Sequence, residues 1–169
     1  MGSSEQLRRV RLEFYKEDIE EIDNILMEFL DASQAKCILV VDREGHLVTK
    51  KGFTRSFDTT SLSALVAASF ASTKAMAEVL GETQFLVLSH QGTTEHIHIA
   101  LASGRALLVI VFDDRTTLGM VRLHASQVTS RVAEALEEAE ERNKARAPQK
   151  LKADFEEAAE QRLADFFGE

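Results

Sequence analysis

The residues with the clearest chemical potential are three histidines near the middle of the chain. His96 and His98 are two positions apart in a strand-like segment, so both side chains are predicted to share one face of the strand. His90 ends the preceding strand-like segment and is placed to join them, and imidazoles gathered in this way can bind zinc. No Cys, Asp or Glu lies at a spacing that completes a metal site. A polar sheet face is therefore the simpler interpretation, and His46 and His124 stand alone.

Two adjacent carboxylates, Asp113 and Asp114, are a second candidate, since paired acids can serve as general acid and base. They lie between an apolar segment at 105–113 and a long helical pattern, and acids are favourable at the N-terminal end of a helix. Arg115 and Arg122 flank the same helix entry, where each can pair locally with these acids or contact an acidic partner.

Signatures of common catalytic centres are missing from the sequence. It contains neither a Gly-x-Ser-x-Gly elbow nor a Gly-x-x-x-x-Gly-Lys phosphate loop. We therefore predict no catalytic residues and no cofactor or metal, and we expect that the protein is not itself an enzyme.

The composition narrows the class of protein further. The 169 residues include 20 basic and 28 acidic side chains, which give a net charge of −8. An acidic chain is a poor general binder of nucleic acid or anionic membranes. Cys37 is the one cysteine, so no intramolecular disulfide can form, and its apolar neighbours predict a buried thiol. No apolar run is long enough to span a membrane, and we expect a cytoplasmic protein.

Hydrophobic periodicity predicts three main helices. The first is amphipathic and covers 14–30. The second begins after Asp58 as N-cap, with Thr59 and Thr60 as alternative caps, and ends near Leu80, before Gly81. The third starts after Thr116 or Thr117 and runs to about 143. Pro148 is predicted to break it, because proline disrupts helix interiors, and a short amphipathic segment follows.

Five strand-like segments lie between these helices. Segments 36–42 and 46–51 form a predicted hairpin, and segments 83–90, 95–102 and 105–113 form a predicted meander. The order α-β-β-α-β-β-β-α predicts an α+β domain with a five-stranded antiparallel sheet, followed by a C-terminal helical tail. We divide the chain into an N-terminal extension (1–13), this domain (14–143), and a hinge with an amphipathic segment (144–169).

The second helix has two different apolar faces. Its larger apolar residues are predicted to cover the sheet: Leu62, Leu65, Val66, Met76, Val79 and Leu80. A second stripe consists of small residues: Ser61, Ala64, Ala68, Ala71, Ser72 and Ala75. Small side chains let another backbone approach closely and lose little entropy on contact. The stripe favours docking of a helix or partner, although alanine is also simply the best helix former.

Three segments together resemble the Roadblock/dynein light chain family: VVDREGHLV, DTTSLSALVAASFASTKAMAEVLGE and ALLVIVFDDRTTLGMVRL. The resemblance covers roughly residues 14–138 and is strongest to bacterial members of the family. It implies a homodimer in which two sheets join edge to edge and the two second helices lie side by side.

For function, the resemblance implies a regulator of a small Ras-like GTPase in cell polarity, concentrated at a cell pole. Such a regulator activates GTP hydrolysis by reshaping the switch loops of the GTPase, without donating an arginine. The implied partner-binding residues are Ser61, Ala64, Leu65, Ala68, Ala71, Ser72 and Ala75. An implied tail contact, linked to nucleotide exchange, comprises Phe155, Leu163, Phe166 and Phe167.

Two other functions stay open from the sequence. The same homodimer can act as a passive scaffold that tethers a GTPase or a motor component. Alternatively, the protein can be a sensor that binds a ligand or a metal at the face formed by His90, His96 and His98. The tail can equally fold back on its own domain.

Overall fold

Eight helices and strands follow one another in the predicted order. The computed structural model describes residues 16–167, although within the last helix the side chains of 147–157, 160 and 162–167 lie outside the described set. The elements are α1 (Lys16–Ser33), β1 (Cys37–Asp42), β2 (Leu47–Gly52), α2 (Thr59–Val79), β3 (Val87–Gln91), β4 (His96–Ala102), β5 (Ala106–Phe112) and α3 (Leu118–Phe167). The α+β class is thereby confirmed. The predicted N-terminal extension lies outside the described residues.

The five strands form one antiparallel sheet with the order β2-β1-β5-β4-β3. The two continuous apolar strands, β1 and β5, are central and fully buried, as uninterrupted apolar runs predict. The third strand is shorter than the predicted segment 83–90. Its pairing starts where the Leu101 N–H donates to the Leu86 carbonyl, and β4 ends one residue later at Ala102. Residues 83 and 84 therefore have no β4 residue opposite them.

Side chains alternate between two cores on the two faces of the sheet. Ile38 and Val40 of β1 pack with α1 and α3, whereas Leu39 and Val41 pack with α2. The strand β5 alternates in the same way, because successive side chains of a strand point to opposite faces. The sheet is thus a middle layer, with α1 and α3 on one side and α2 alone on the other.

The sheet-facing side of α2 differs from the prediction. Val66 is buried and Leu62 is partly buried, as expected. However, four residues that were predicted to cover the sheet are exposed: Leu65 (68%), Met76 (53%), Val79 (86%) and Leu80 (71%). The prediction for these four residues is wrong.

The buried side of α2 combines one large aromatic side chain with small polar ones. Phe70 fills the centre, and Ser63 and Thr73 are buried near it. The Ser63 hydroxyl donates to the Thr59 carbonyl (2.7 Å), and the Thr73 hydroxyl donates to the Phe70 carbonyl (2.6 Å). These bonds satisfy the hydroxyls within the helix, so their burial is not penalised. A prediction from hydrophobicity alone places leucine in the core in preference to serine and threonine. It therefore assigns the wrong side of this helix to the sheet.

The last helix also differs from the prediction. It is continuous from Leu118 to Phe167, so the predicted break at Pro148 is wrong. Proline inside a helix costs about 3 kcal/mol. The residues around it are mostly Ala, Arg, Gln, Lys and Leu, which favour the helix and can offset that cost.

Candidate functional site

The predicted partner-binding stripe lies on the outer side of α2, away from the sheet. All seven of its residues are exposed: Ser61, Ala64, Leu65, Ala68, Ala71, Ser72 and Ala75. The buried positions of the helix lie on the opposite side of the helical wheel. The structure thus brings the seven residues together as one surface, which we call the α2 platform. Its binding role stays a prediction.

The β1–β2 turn supports the α2 platform from one flank. Gly45 in this turn has a φ of +95°, and a Cβ added there would lie only 2.9 Å from the Cα of Ala64. The buried Asp42 carboxylate holds the turn, since its Oδ1 accepts the N–H groups of Glu44 (2.9 Å) and His46 (2.8 Å). The flank of α2 that contains Ala64 therefore faces the β2 end of the sheet.

The opposite flank of α2 is apolar and faces the β3 end of the sheet. At about 100° per residue, Leu65, Met76 and Leu80 lie on the side of the helix away from Ala64. All three side chains are exposed. We call these three residues the apolar seam. Exposed apolar patches of this kind mark interaction surfaces.

Two of the three candidate histidines share a sheet face, but the third does not. His90 lies opposite Ile97 in the β3–β4 pair, so it is on the other face from His96 and His98. The predicted three-histidine cluster is therefore wrong. The His96 ring packs against Phe112, with centroids 5.1 Å apart.

The second histidine of this pair is a buried structural residue. His98 is almost inaccessible, and its Nδ1 lies 2.8 Å from the Ser89 hydroxyl on β3. Burial, with a smaller contribution from the Arg122 charge, lowers the pKa of His98 below its ordinary value of 6.5. The imidazole is therefore neutral near pH 7 and adds no positive charge to this part of the structure.

The carboxylate pair before α3 has a structural explanation. Asp113 Oδ1 accepts hydrogen bonds from the Arg115 backbone N–H (3.1 Å) and from its Nε (2.9 Å). The Arg115 side chain thereby lowers the pKa of Asp113. The local pairing of Arg115 is confirmed. Thr117 caps the helix, because its hydroxyl accepts the Met120 N–H (3.2 Å).

One group among the described residues offers metal-ligand atoms close together. Carboxylate oxygens of Asp42 and Glu44 and a ring nitrogen of His46 lie within 4.8 Å of one another. Asp42 already holds the turn, and its Oδ2 lies 3.0 Å from His46 Nδ1. The turn explains this arrangement without an ion. Cys37 is fully buried, and burial raises the pKa of its thiol to about 11.

A buried ion pair between α1 and α3 is not among the features predicted from the sequence. Asp18 is only 3% exposed, and its Oδ1 accepts hydrogen bonds from Arg142 Nε (3.2 Å) and Nη2 (2.8 Å). A signal was available, because Asp18 lies on the same helical stripe as the buried Ile22, Ile25 and Phe29. An acid in a buried stripe predicts a cation on the facing helix.

The predicted tail residues lie within the helical backbone of α3. The side chains of Phe155, Leu163, Phe166 and Phe167 lie outside the described residues, so their contacts stay predictions. Among the described residues, no helix has the length and apolar character that crossing a membrane requires.

Comparisons with known proteins agree with this geometry. The Roadblock/LC7 domain family model matches residues 21–112. The gliding protein MglB from Thermus thermophilus is 34% identical, with 76% of this chain and 97% of that chain covered and a TM-score of 0.71. Myxococcus xanthus MglB is 30% identical over 76% and 96% of the two chains, with a TM-score of 0.70.

A further solved structure, MglB with a tetrameric arrangement, is 34% identical over 76% of this chain and 96% of that chain. Its TM-score is 0.73. A comparison with curated proteins finds no match.

Proposed function

Because the chain belongs to the Roadblock/LC7 domain family, we propose that it is a homodimeric, MglB-type regulator of a small Ras-like GTPase. The protein acts in the cytoplasm, in cell polarity and motility, and concentrates at a cell pole. Its partner is a GTPase of the MglA type, and the catalytic groups for GTP hydrolysis belong to that partner.

The observation that carries the proposal is the exposed α2 platform. A helix whose outer side bears mostly Ala and Ser presents a smooth surface that another backbone can approach closely. Few side-chain rotamers are lost on contact, so binding costs little conformational entropy. Such a surface suits mobile loops that must be held in one conformation.

Activation then follows from differential binding. If the α2 platform binds the hydrolysis-competent conformation of the switch loops more tightly, that conformation becomes more populated. No arginine needs to enter the active site of the GTPase. Lys74 is the single cation on α2, and it lies on the charged flank with Glu78 rather than among the platform residues.

The apolar seam supports the homodimer. Met76 and Leu80 on α2 are exposed, and β3 is the edge strand at that end of the sheet. An edge strand with unpaired backbone groups and exposed apolar neighbours is a template for pairing with a second copy. Joining two β3 edges brings the apolar flanks of the two α2 helices together, and the two platforms then form one surface. Leu65 lies on the border of platform and seam.

The C-terminal part of α3 supplies the second contact with the GTPase. We assign that contact to Phe155, Leu163, Phe166 and Phe167, and link it to nucleotide exchange. An amphipathic helix that presents aromatic side chains suits a groove on a partner.

The direct test is GTP turnover by the small Ras-like GTPase encoded nearest this gene, with and without excess protein. A large rise in hydrolysis rate is the expected result. A co-eluting complex without a rise would favour the alternative, a scaffold that tethers the GTPase or a motor component. If the hydrolysis rate does not rise and no complex forms, both functions are contradicted.

A further inference from the structure

A groove lies on the α3 side of the sheet, where the helix covers β4 but leaves β3 partly open. Its volume is about 330 Å³. Val87 and Ala100 line it from the sheet, and Arg122, Ser126 and Thr129 line it from α3. The groove lies on the opposite side of the sheet from the α2 platform, so the GTPase contact proposed above does not use it.

The chemistry of this groove suits an apolar side chain next to a carboxylate. Ala100 and Ser126 are small and leave room, while Leu86 and Val87 present apolar surface at the rim. Arg122 is an exposed cation on the helix side. Since the neighbouring His98 is buried and its pKa is lowered, Arg122 carries the positive charge of the groove.

The C-terminal segment of the chain has the complementary chemistry. Residues 164–169 read ADFFGE, in which Asp165 and Glu169 flank Phe166 and Phe167. We propose that the groove binds residues 164–169 of another copy of the chain. The aromatic side chains fill the apolar part of the groove, and a flanking carboxylate pairs with Arg122.

The structure requires this contact to be intermolecular. Thr129 and Phe167 lie on the same continuous helix, 38 residues apart. At about 1.5 Å per residue, the helix carries Phe167 about 57 Å away from the groove. The last described ion pair between α3 and α1 joins Arg146 to Glu17, and α3 runs on beyond it. A segment held at that distance reaches the groove of a neighbour but not its own.

This contact is head-to-tail, since it joins the beginning of one α3 to the end of another. Repeated head-to-tail contacts either close into a ring or continue as a chain. We therefore expect homodimers to associate further as protein concentration rises. The same segment also serves the proposed tail contact with the GTPase, so assembly and that contact exclude each other.

Cross-linking between two proteins that each carry one introduced cysteine tests the proposal with the full-length chain. One protein carries Ser126→Cys in the groove and the other carries Gly168→Cys in the segment. Cys37 is fully buried, and its pKa of about 11 keeps it unreactive toward maleimides. With a short bismaleimide, we expect a covalent pair between the two proteins. In the control mixture, Met27→Cys on α1 replaces Ser126→Cys, and the yield should be several times lower.

Charge and aromatic variants then test the chemistry of the contact. Arg122→Glu in the groove protein should reduce the yield to that of the Met27→Cys control, and Asp165→Arg in the segment protein should restore it. Replacing Phe166 and Phe167 by alanine leaves the groove unchanged and should also abolish cross-linking. Equal yields at Ser126→Cys and Met27→Cys, or cross-linking that persists with Arg122→Glu, would overturn the proposal. The proposed function rests on the α2 platform, on the other side of the sheet, so failure of this proposal leaves it standing.

Discussion

Gly45 and Ala64 pack backbone against backbone where the β1–β2 turn meets the outer helix. A Cβ on Gly45 would lie 2.9 Å from the Cα of Ala64, and the φ of Gly45 is +95°. Glycine is the residue that tolerates both the conformation and the close approach. The turn thus sets the position of the first part of the α2 platform.

Substitution of Gly45 by alanine should destabilise the protein for two reasons. The new methyl group must displace the α2 backbone, and the residue must keep a positive φ. We expect a loss of about 1–3 kcal/mol in the free energy of unfolding, measured by denaturant titration.

Gly104→Ala is the matched control for this prediction. Gly104 also has a positive φ (+68°), but no atom lies within 4 Å of an added Cβ. It therefore reports the conformational cost alone, and Gly45→Ala should destabilise the protein more. Equal losses for the two variants would show that the contact with Ala64 has no energetic weight.

The pH dependence of stability should reflect His98. Its pKa is lowered in the folded state, mainly by burial, and is close to 6.5 when unfolded. Below pH 6.5 the unfolded chain binds a proton that the folded chain excludes, so stability falls as pH falls from about 6.5 toward the folded pKa. The slope from this one group is at most about 1.4 kcal/mol per pH unit.

Urea unfolding at pH 7.5 and pH 5.5 checks this prediction. The wild-type protein should lose more stability across this interval than His98→Gln, which keeps a hydrogen-bonding side chain near Ser89. Asp58 and Asp113, whose pKa values are lowered, affect stability only at more acidic pH. An unchanged pH dependence in His98→Gln would contradict the assignment.

The ion pair of Arg142 with the buried Asp18 should stabilise the packing of α1 on α3. Arg142→Met removes two hydrogen bonds to a carboxylate that is almost inaccessible to water. We expect a fall of several degrees in the midpoint of thermal unfolding. Arg131→Met removes the exposed pair with Glu28 and should change the midpoint little, because surface ion pairs contribute weakly. Similar effects of the two variants would contradict this distinction.

Association into homodimers should depend on the apolar seam. Met76→Arg places a charge on the exposed apolar flank of α2, where desolvating it would oppose the contact. We expect a monomer by light scattering after size-exclusion chromatography. Glu78→Arg, on the other flank of the same turn, should stay dimeric. A dimer in Met76→Arg would locate the interface elsewhere.

Much of the fold followed from local patterns in the sequence. The N-cap Asp58 and the continuous apolar runs of β1 and β5 are local signals, and each agrees with the structure. The errors arose where the pairing between strands, rather than the pattern within one strand, determines the result. The start of β3 depends on where β4 ends, and the pairing register places His90 and His98 on opposite faces of the sheet.

The candidate site was harder to derive than the fold. The exposed small residues of α2 were found because their spacing is regular. The rotation of α2 was missed, since Ser63 and Thr73 satisfy their hydroxyls within the helix and can be buried. The ion pair between Asp18 and Arg142 joins residues far apart in the chain, so the buried position of Asp18 predicts a cation on a facing helix but does not identify Arg142 as that cation.

The role of the α2 platform is tested by the affinity of the protein for the GTP-bound form of its small Ras-like GTPase. Ala68→Arg changes the centre of the α2 platform, whereas Ala32→Arg makes the same change at an exposed site on α1. We expect Ala68→Arg to weaken binding at least about tenfold, or about 1.4 kcal/mol, with fold and dimer intact. Ala32→Arg should bind as the wild type does. Unchanged affinity in a folded, dimeric Ala68→Arg protein would contradict the claim that the α2 platform binds the GTPase.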